Sequence, residues 1–169
     1  LPPSVEDSIE AIRTERTSGA SRVARLALQT MSLLSFEQQG HVDPKDLALA
    51  AKRVSEAQPA MAVVHNVAHL FARLVTEGMD PVSVRNQIEL EMDTARERIA
   101  QTFLKVVPEN ARVVTTSYSD NVLATLQHAH KNGRIAHVAV LESRPLLEGR
   151  FLVVALTEAG IPASLAAGA

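Results

Sequence analysis

Ala111-Arg112-Val113-Val114-Thr115-Thr116-Ser117-Tyr118-Ser119-Asp120, followed by Ile135-Ala136-His137-Val138-Ala139-Val140-Leu141-Glu142-Ser143-Arg144-Pro145, decides the fold. Ala111–Thr115 is a β-branched run, and Ile135–Leu141 is a second apolar run. Such runs, bounded by turn residues, read as strands. Between them residues 120–132 read as a helix stopped by Gly133, and residues 147–159 as another stopped by Gly160. Ala163–Ala166 is a weak third strand. The strand centres Val113, Val138 and Ser164 are about 25 residues apart, a spacing that fits right-handed βαβ crossovers and a parallel sheet.

Upstream of Pro108 the periodicity is helical. A first helix is expected over residues 4–16, with Ser4 and Asp7 as a capping box. After the small-residue junction Thr17-Ser18-Gly19-Ala20-Ser21 comes a second, with Val23, Leu26, Ala27, Thr30, Met31 and Leu34 at helical spacing and Gly40 as its stop. Asp43-Pro44 opens a third, with Asp as N-cap and Pro at the first position. Pro59 is expected to open a fourth, buried over much of its circumference, which Gly78 ends. Asp80-Pro81 opens a fifth to about Lys105, with Val84, Ile88, Met92, Ala95 and Ile99 inward and an Arg85–Glu89 pair outward. The expected architecture is therefore α+β, with a helical domain over residues 1–107 and a parallel α/β domain over residues 108–169.

Composition narrows the function. The chain has 169 residues and no cysteine, which removes disulfides, thiolate metal sites and a cysteine nucleophile. Only 3% of residues are aromatic and the net charge is −2, so neither a stacking platform nor a basic field points to nucleic acid. No apolar run reaches the length of a membrane span, and no signal pattern opens the chain. A cytoplasmic protein is expected. The 25 alanines favour close-packed helices.

In an open parallel sheet, ligands bind beyond the carboxyl ends of the strands. The loop Thr115–Asp120 offers backbone N–H groups and hydroxyls to an anion; equally, Ser119 or Asp120 caps the helix that follows. In the loop Leu141–Pro145, Pro145 biases Arg144 toward extended geometry. There its guanidinium either meets a phosphate or pairs with Glu142 or Glu148. Ser18-Gly19-Ala20-Ser21 lets backbone approach a ligand closely, or is a plain interhelix turn. His65 and His69 are four residues apart, but Arg73 continues their line and no carboxylate joins them. They read as a solvated stripe rather than a metal clamp. His128 and His130 cannot share a helix face, and none of the six histidines is a candidate base. No metal or cofactor is expected.

These residues resemble a known family. Val113–Ser119, Val122-Leu123, Leu141-Glu142-Ser143-Arg144-Pro145-Leu146-Leu147-Glu148-Gly149-Arg150 and Gly160-Ile161-Pro162 resemble the eukaryotic initiation factor 2B alpha/beta/delta family. Ribose 1,5-bisphosphate isomerase and methylthioribose 1-phosphate isomerase share that family. Thr17–Ser21 is similar to its early small-residue motif. Pro59-Ala60-Met61-Ala62 with Asn66 is similar to its Arg-Pro-Ser-Met-Ala…Asn segment, with Gln58 in place of the usual arginine. The resemblance implies a Rossmann-like second domain and a phosphorylated ligand. By position, Gly19 and Ala20 would help hold one phosphate, Arg144 would bind phosphate, and Ser117, Tyr118 and Ser119 would line the sugar.

The departures matter as much. The isomerases carry His-Cys-Asn where this chain has Thr116, Ser117 and Tyr118. A serine at the cysteine position is a poorer acid or nucleophile without an adjacent base. Their catalytic aspartate would fall at about Gly168. The expectation is thus an initiation-factor-2B-like protein that binds a sugar phosphate or nucleotide monophosphate without catalysis, in a homo-oligomer or with related subunits. The alternatives are a sugar-phosphate isomerase of altered chemistry, for which Glu142 is the best-placed carboxylate, and a structural oligomerisation module. Three strands leave a sheet edge exposed, which natural proteins avoid. On that ground the chain is expected to be the first part of a longer one, cut within its Rossmann-like domain, or a decayed relative.

Overall fold

In a computed structural model the structure describes residues 1–16, 18–39 and 41–167. Thr17, Gly40 and Gly168, on which expectations were placed, lie outside the described residues. Two compact units, Leu1–Met92 and Asp93–Ala169, divide inside one long helix. The change from helices to strands comes later, at Pro108.

The first unit is helical: α1 (Pro3–Thr14), α2 (Ala20–Glu37), α3 (Pro44–Ala57), α4 (Ala62–Thr76) and the start of α5 (Pro81–Val106). Each helix turns an apolar stripe inward. Val5, Ile9 and Ile12 of α1 are buried at helical spacing, as are Leu28 and Met31 of α2, Leu47 and Val54 of α3, and Val64, Ala68 and Phe71 of α4. Alanines 24, 27, 50, 51 and 68 are buried among them, and side chains this small let helices approach closely. The Asp43 cap is present: its carboxylate accepts from the Lys45 N–H at 2.8 Å. Gly78, with φ of 97°, sits where α4 gives out, in the left-handed region that glycine adopts without strain.

Three helical expectations are corrected. No capping box forms at Ser4. Pro3 occupies the first turn and starts α1 a residue early, leaving Pro2 as the cap. Ser4 Oγ instead donates to Glu37 Oε1 at 2.9 Å. Helix α4 starts at Ala62 rather than Pro59. Gln58 leaves the helical region at φ −137°, ψ 70°, since a residue before proline is disfavoured there, and a turn closed by Met61 N–H to Gln58 O at 3.0 Å precedes the helix. On α5 the inward stripe holds through Val84, Ile88 and Met92, but Ala95 and Ile99 are exposed. The first core ends at Met92. Beyond it the helix turns a different stripe inward, buried Ala100 and half-buried Phe103 and Leu104; these last two, with Val107 just past the helix end, join the second core. The Arg85–Glu89 pair forms at 3.2 Å.

The second unit carries β1 (Ala111–Thr116), α6 (Asp120–Lys131), β2 (Ile135–Leu141), α7 (Gly149–Glu158) and β3 (Ala163–Ala166) after the end of α5. The strands are parallel in the order β1-β2-β3. Val113 pairs with Val138 and Val138 with Ala163; Thr116 at the end of β1 pairs with Leu141 at the end of β2. Helices α6 and α7 pack on β2 and on each other, so Val138, Val140, Leu126, Leu152 and Leu156 are fully or almost fully buried, while Val114 on the alternate face is exposed. The fold is thus α+β, a helical part followed by a parallel βαβαβ part. Helix α7 begins at Gly149, two residues after the expected Leu147, because Leu147 is left-handed at φ 57° and cannot belong to a right-handed helix. Among the described residues no helix is long and apolar enough to cross a membrane.

Candidate functional site

The β1–β2 register brings two loops side by side. Thr116 and Leu141 are partners, so the residues that leave both strands emerge at one level of the sheet. Ser117 and Ser143 are left-handed, at φ 61° and 60°. Non-glycine residues seldom adopt that region, and such residues cluster where surrounding structure holds them for a purpose.

One hydroxyl organises the pair of loops. Ser143 Oγ accepts from the Ser117 N–H at 2.7 Å, lies 2.9 Å from Thr116 Oγ1 and donates to Leu141 O at 3.2 Å. Ser117 Oγ donates to Glu148 Oε2 at 2.8 Å. Tyr118 OH donates to Asp120 Oδ1 at 3.3 Å, and its ring packs on the second core. Ser119 is the N-cap of α6, its Oγ accepting from the Val122 N–H at 3.4 Å. The capping reading of that loop is therefore the one this geometry contains.

Beyond β2, Glu142 is buried, with its side chain only 8% exposed. Its carboxylate accepts from Arg144 Nε at 2.6 Å and lies 3.9 Å from Arg150 Nη2. A buried carboxylate requires such partners. Arg144 remains 72% exposed, so its guanidinium is anchored through Nε while the rest of it meets solvent. The backbone also closes tightly here. A Cβ on Gly149 would run into the Leu141 carbonyl and lie 3.0 Å from Glu142 Cα, and the Gly149 N–H donates to Glu142 O at 3.2 Å.

The structure thus assembles Ser117, Tyr118, Ser119 and Arg144 on adjoining loops of the second unit. Gly19 and Ala20 are in the first unit, where buried Gly19 caps α2 and exposed Ala20 is its first residue. Gln58, at the resemblance's arginine position, donates from Nε2 to Ile12 O at 2.9 Å and Glu15 O at 3.1 Å, closing the end of α1. The His65 and His69 rings lie 4.2 Å apart. Desolvation, and secondarily the charge of His65, lowers the pKa of His69. Among the described residues no three metal-ligating side chains come together.

Two participants escaped the sequence reading. The sequence offers Glu148 only as a partner for Arg144 and marks no role for Ser143. The two apolar runs read as neighbouring parallel strands were the available signal, since they bring the loops that follow them together.

The model of the initiation factor 2 subunit family matches residues 16–168. The chain belongs to that family. Family relatives include a ribose 1,5-bisphosphate isomerase of Archaeoglobus fulgidus, 26% identical over 95% of this chain and 53% of its own length. A methylthioribose-1-phosphate isomerase of Gemmatimonas aurantiaca is 30% identical over 95% of this chain and 52% of its own. In fold, the chain is similar to the Pyrococcus horikoshii OT3 translation initiation factor eIF-2B, with a TM-score of 0.85 at 22% identity, over 99% of this chain and 60% of that one. The chain spans about half the length of the curated relatives it matches.

Proposed function

We propose that this family member binds a sugar phosphate or nucleotide monophosphate at the ends of β1 and β2 and acts by regulation or assembly, without catalysis. The observation that carries the reading is Arg144. Its Nε is fixed by buried Glu142 and its outer face is open, which holds a forked donor set ready for a phosphate with little ordering cost. Ser117, Tyr118 and Ser119 on the adjoining loop supply hydroxyls for the sugar. Assembly would be with further copies or with related subunits, since Val82, Leu90 and Val106 of α5 are exposed apolar side chains. Thermal shift with ribose 1,5-bisphosphate, methylthioribose 1-phosphate and AMP tests the reading. A stabilisation that Arg144→Ala removes supports it; no shift at millimolar ligand favours a structural oligomerisation module instead.

One observation favours a second reading. The Ser117 hydroxyl has an adjacent carboxylate after all, in Glu148 rather than Glu142. A serine so paired has the base that the chemistry of an isomerase would need. Turnover of either sugar phosphate, abolished by Ser117→Ala and by Glu148→Gln, would replace the non-catalytic reading with an enzymatic one.

A further inference from the structure

The ends of β1 and β2 do not offer the same groups to a ligand. At the end of β2, Arg144 and Arg150 flank the buried carboxylate of Glu142, and the Arg144 guanidinium stays largely exposed. At the end of β1, two of the donors that a sequence reading would offer to an anion are already taken. The Ser117 N–H goes to Ser143 Oγ, and the Ser117 hydroxyl goes to Glu148. The carboxylate that stands beside this loop is that of half-buried Glu148, which reaches Ser117 from the loop after β2. A carboxylate attracts hydroxyl donors and repels a phosphate, and near a protein surface the repulsion is far stronger than in bulk water.

We propose that Glu148 sets the direction in which the ligand lies, keeping anions off the first loop so that a hydroxyl-bearing end meets Ser117 and Glu148 while the phosphate meets Arg144. This rests on the binding site proposed above. The ligand class it selects has its anion at one end and hydroxyl donors at the other. A compact anion with no hydroxyl donors would occupy the Arg144 end alone. Replacing the carboxylate by an amide should reverse the first loop's preference. Glutamine keeps an acceptor for the Ser117 hydroxyl, loses the charge and gains two N–H donors.

The test is residue-resolved NMR of the full chain titrated separately with inorganic phosphate and ribose 5-phosphate. In the unaltered protein, phosphate should move the Arg144 side-chain signal and leave the Ser117 amide in place. In Glu148→Gln, phosphate should move the Ser117 amide, with affinity there raised at least about tenfold by the removed charge. Ser117→Ala, which breaks the hydrogen bond but keeps the carboxylate, should show no such gain. Glu148→Ala serves in place of the glutamine variant if the latter does not fold. Phosphate moving Ser117 equally in the unaltered and glutamine proteins overturns the proposal, as does a glutamine variant with no gain. The ribose 5-phosphate arm separates the two readings. If that sugar phosphate binds neither protein while inorganic phosphate gains at Ser117 in the variant, the binding function fails and the exclusion of anions by Glu148 stands.

Discussion

Removing the Arg144 side chain should weaken the second unit even with no ligand present, and the structure sets the size of the effect. Glu142 is 8% exposed in its side chain and draws its close partner from Arg144 Nε at 2.6 Å; Arg150 stands farther off, at 3.9 Å. A hydrogen bond between charged groups contributes roughly 1.5–3 kcal/mol. Arg144 is 72% exposed, so solvent screening reduces that to about 1 kcal/mol. Arg144→Ala should therefore cost about 1 kcal/mol, because it leaves a buried carboxylate with only its distant partner. In a Glu142→Gln background the same substitution should cost close to nothing, since no buried charge is left stranded. Tyr118 is the sole tyrosine and the chain has no tryptophan, so tyrosine fluorescence during urea unfolding reports on the second unit specifically. For an m-value of about 1–2 kcal/mol/M, the midpoint should fall by about 0.5–1 M. Equal costs of Arg144→Ala in both backgrounds would refute the reasoning, because the arginine would then not be stabilising the carboxylate.

Gly149→Ala should destabilise the second unit by about 2 kcal/mol or more, because the added methyl meets the Leu141 carbonyl, a backbone atom at a sheet terminus; the same fluorescence titration measures it. Asp43→Ala should cost the first unit about 1 kcal/mol through loss of the α3 cap, and Asp43→Asn should recover most of it in circular-dichroism melts. His69 has a lowered pKa, from desolvation and then from His65, so the unfolded chain takes up its proton at higher pH than the folded one. The contribution is present above about pH 6.5 and is lost as the pH falls through the unfolded and then the folded value. His69→Gln should flatten the decline in melting temperature between about pH 7 and pH 5; an unchanged slope would count against this account.

Much of the second unit was legible because each of its elements is local in origin. Strands β2 and β3 stand where the apolar runs stand, and Gly133 and Gly160, at φ 70° and 74°, end the preceding helices as glycines do. The errors came where a residue's neighbours lie elsewhere in the chain. Ala95 and Ile99 continue the periodic stripe of α5, but the core that stripe served ends at Met92, and periodicity carries no notice of that. Ser119 as a cap was readable because its partner is three residues away. The Ser117–Glu148 bond joins residues 31 apart and depends on left-handed Ser117 and Leu147, neither of which composition signals. Arg144 pairing with Glu142 was one of two readings the sequence left open, and the geometry contains it without removing the guanidinium from solvent.

Ser143 has a consequence for the thermodynamics of the proposed site. Its one oxygen ties the backbone of the first loop, the side chain at the end of β1 and a carbonyl of β2, so the two loops share a single anchor and are set in place when the unit folds. A molecule bound there, as proposed above, would meet a floor with little freedom left to lose. The entropy of arranging two loops has been spent during folding, and association need not wait for either of them to settle.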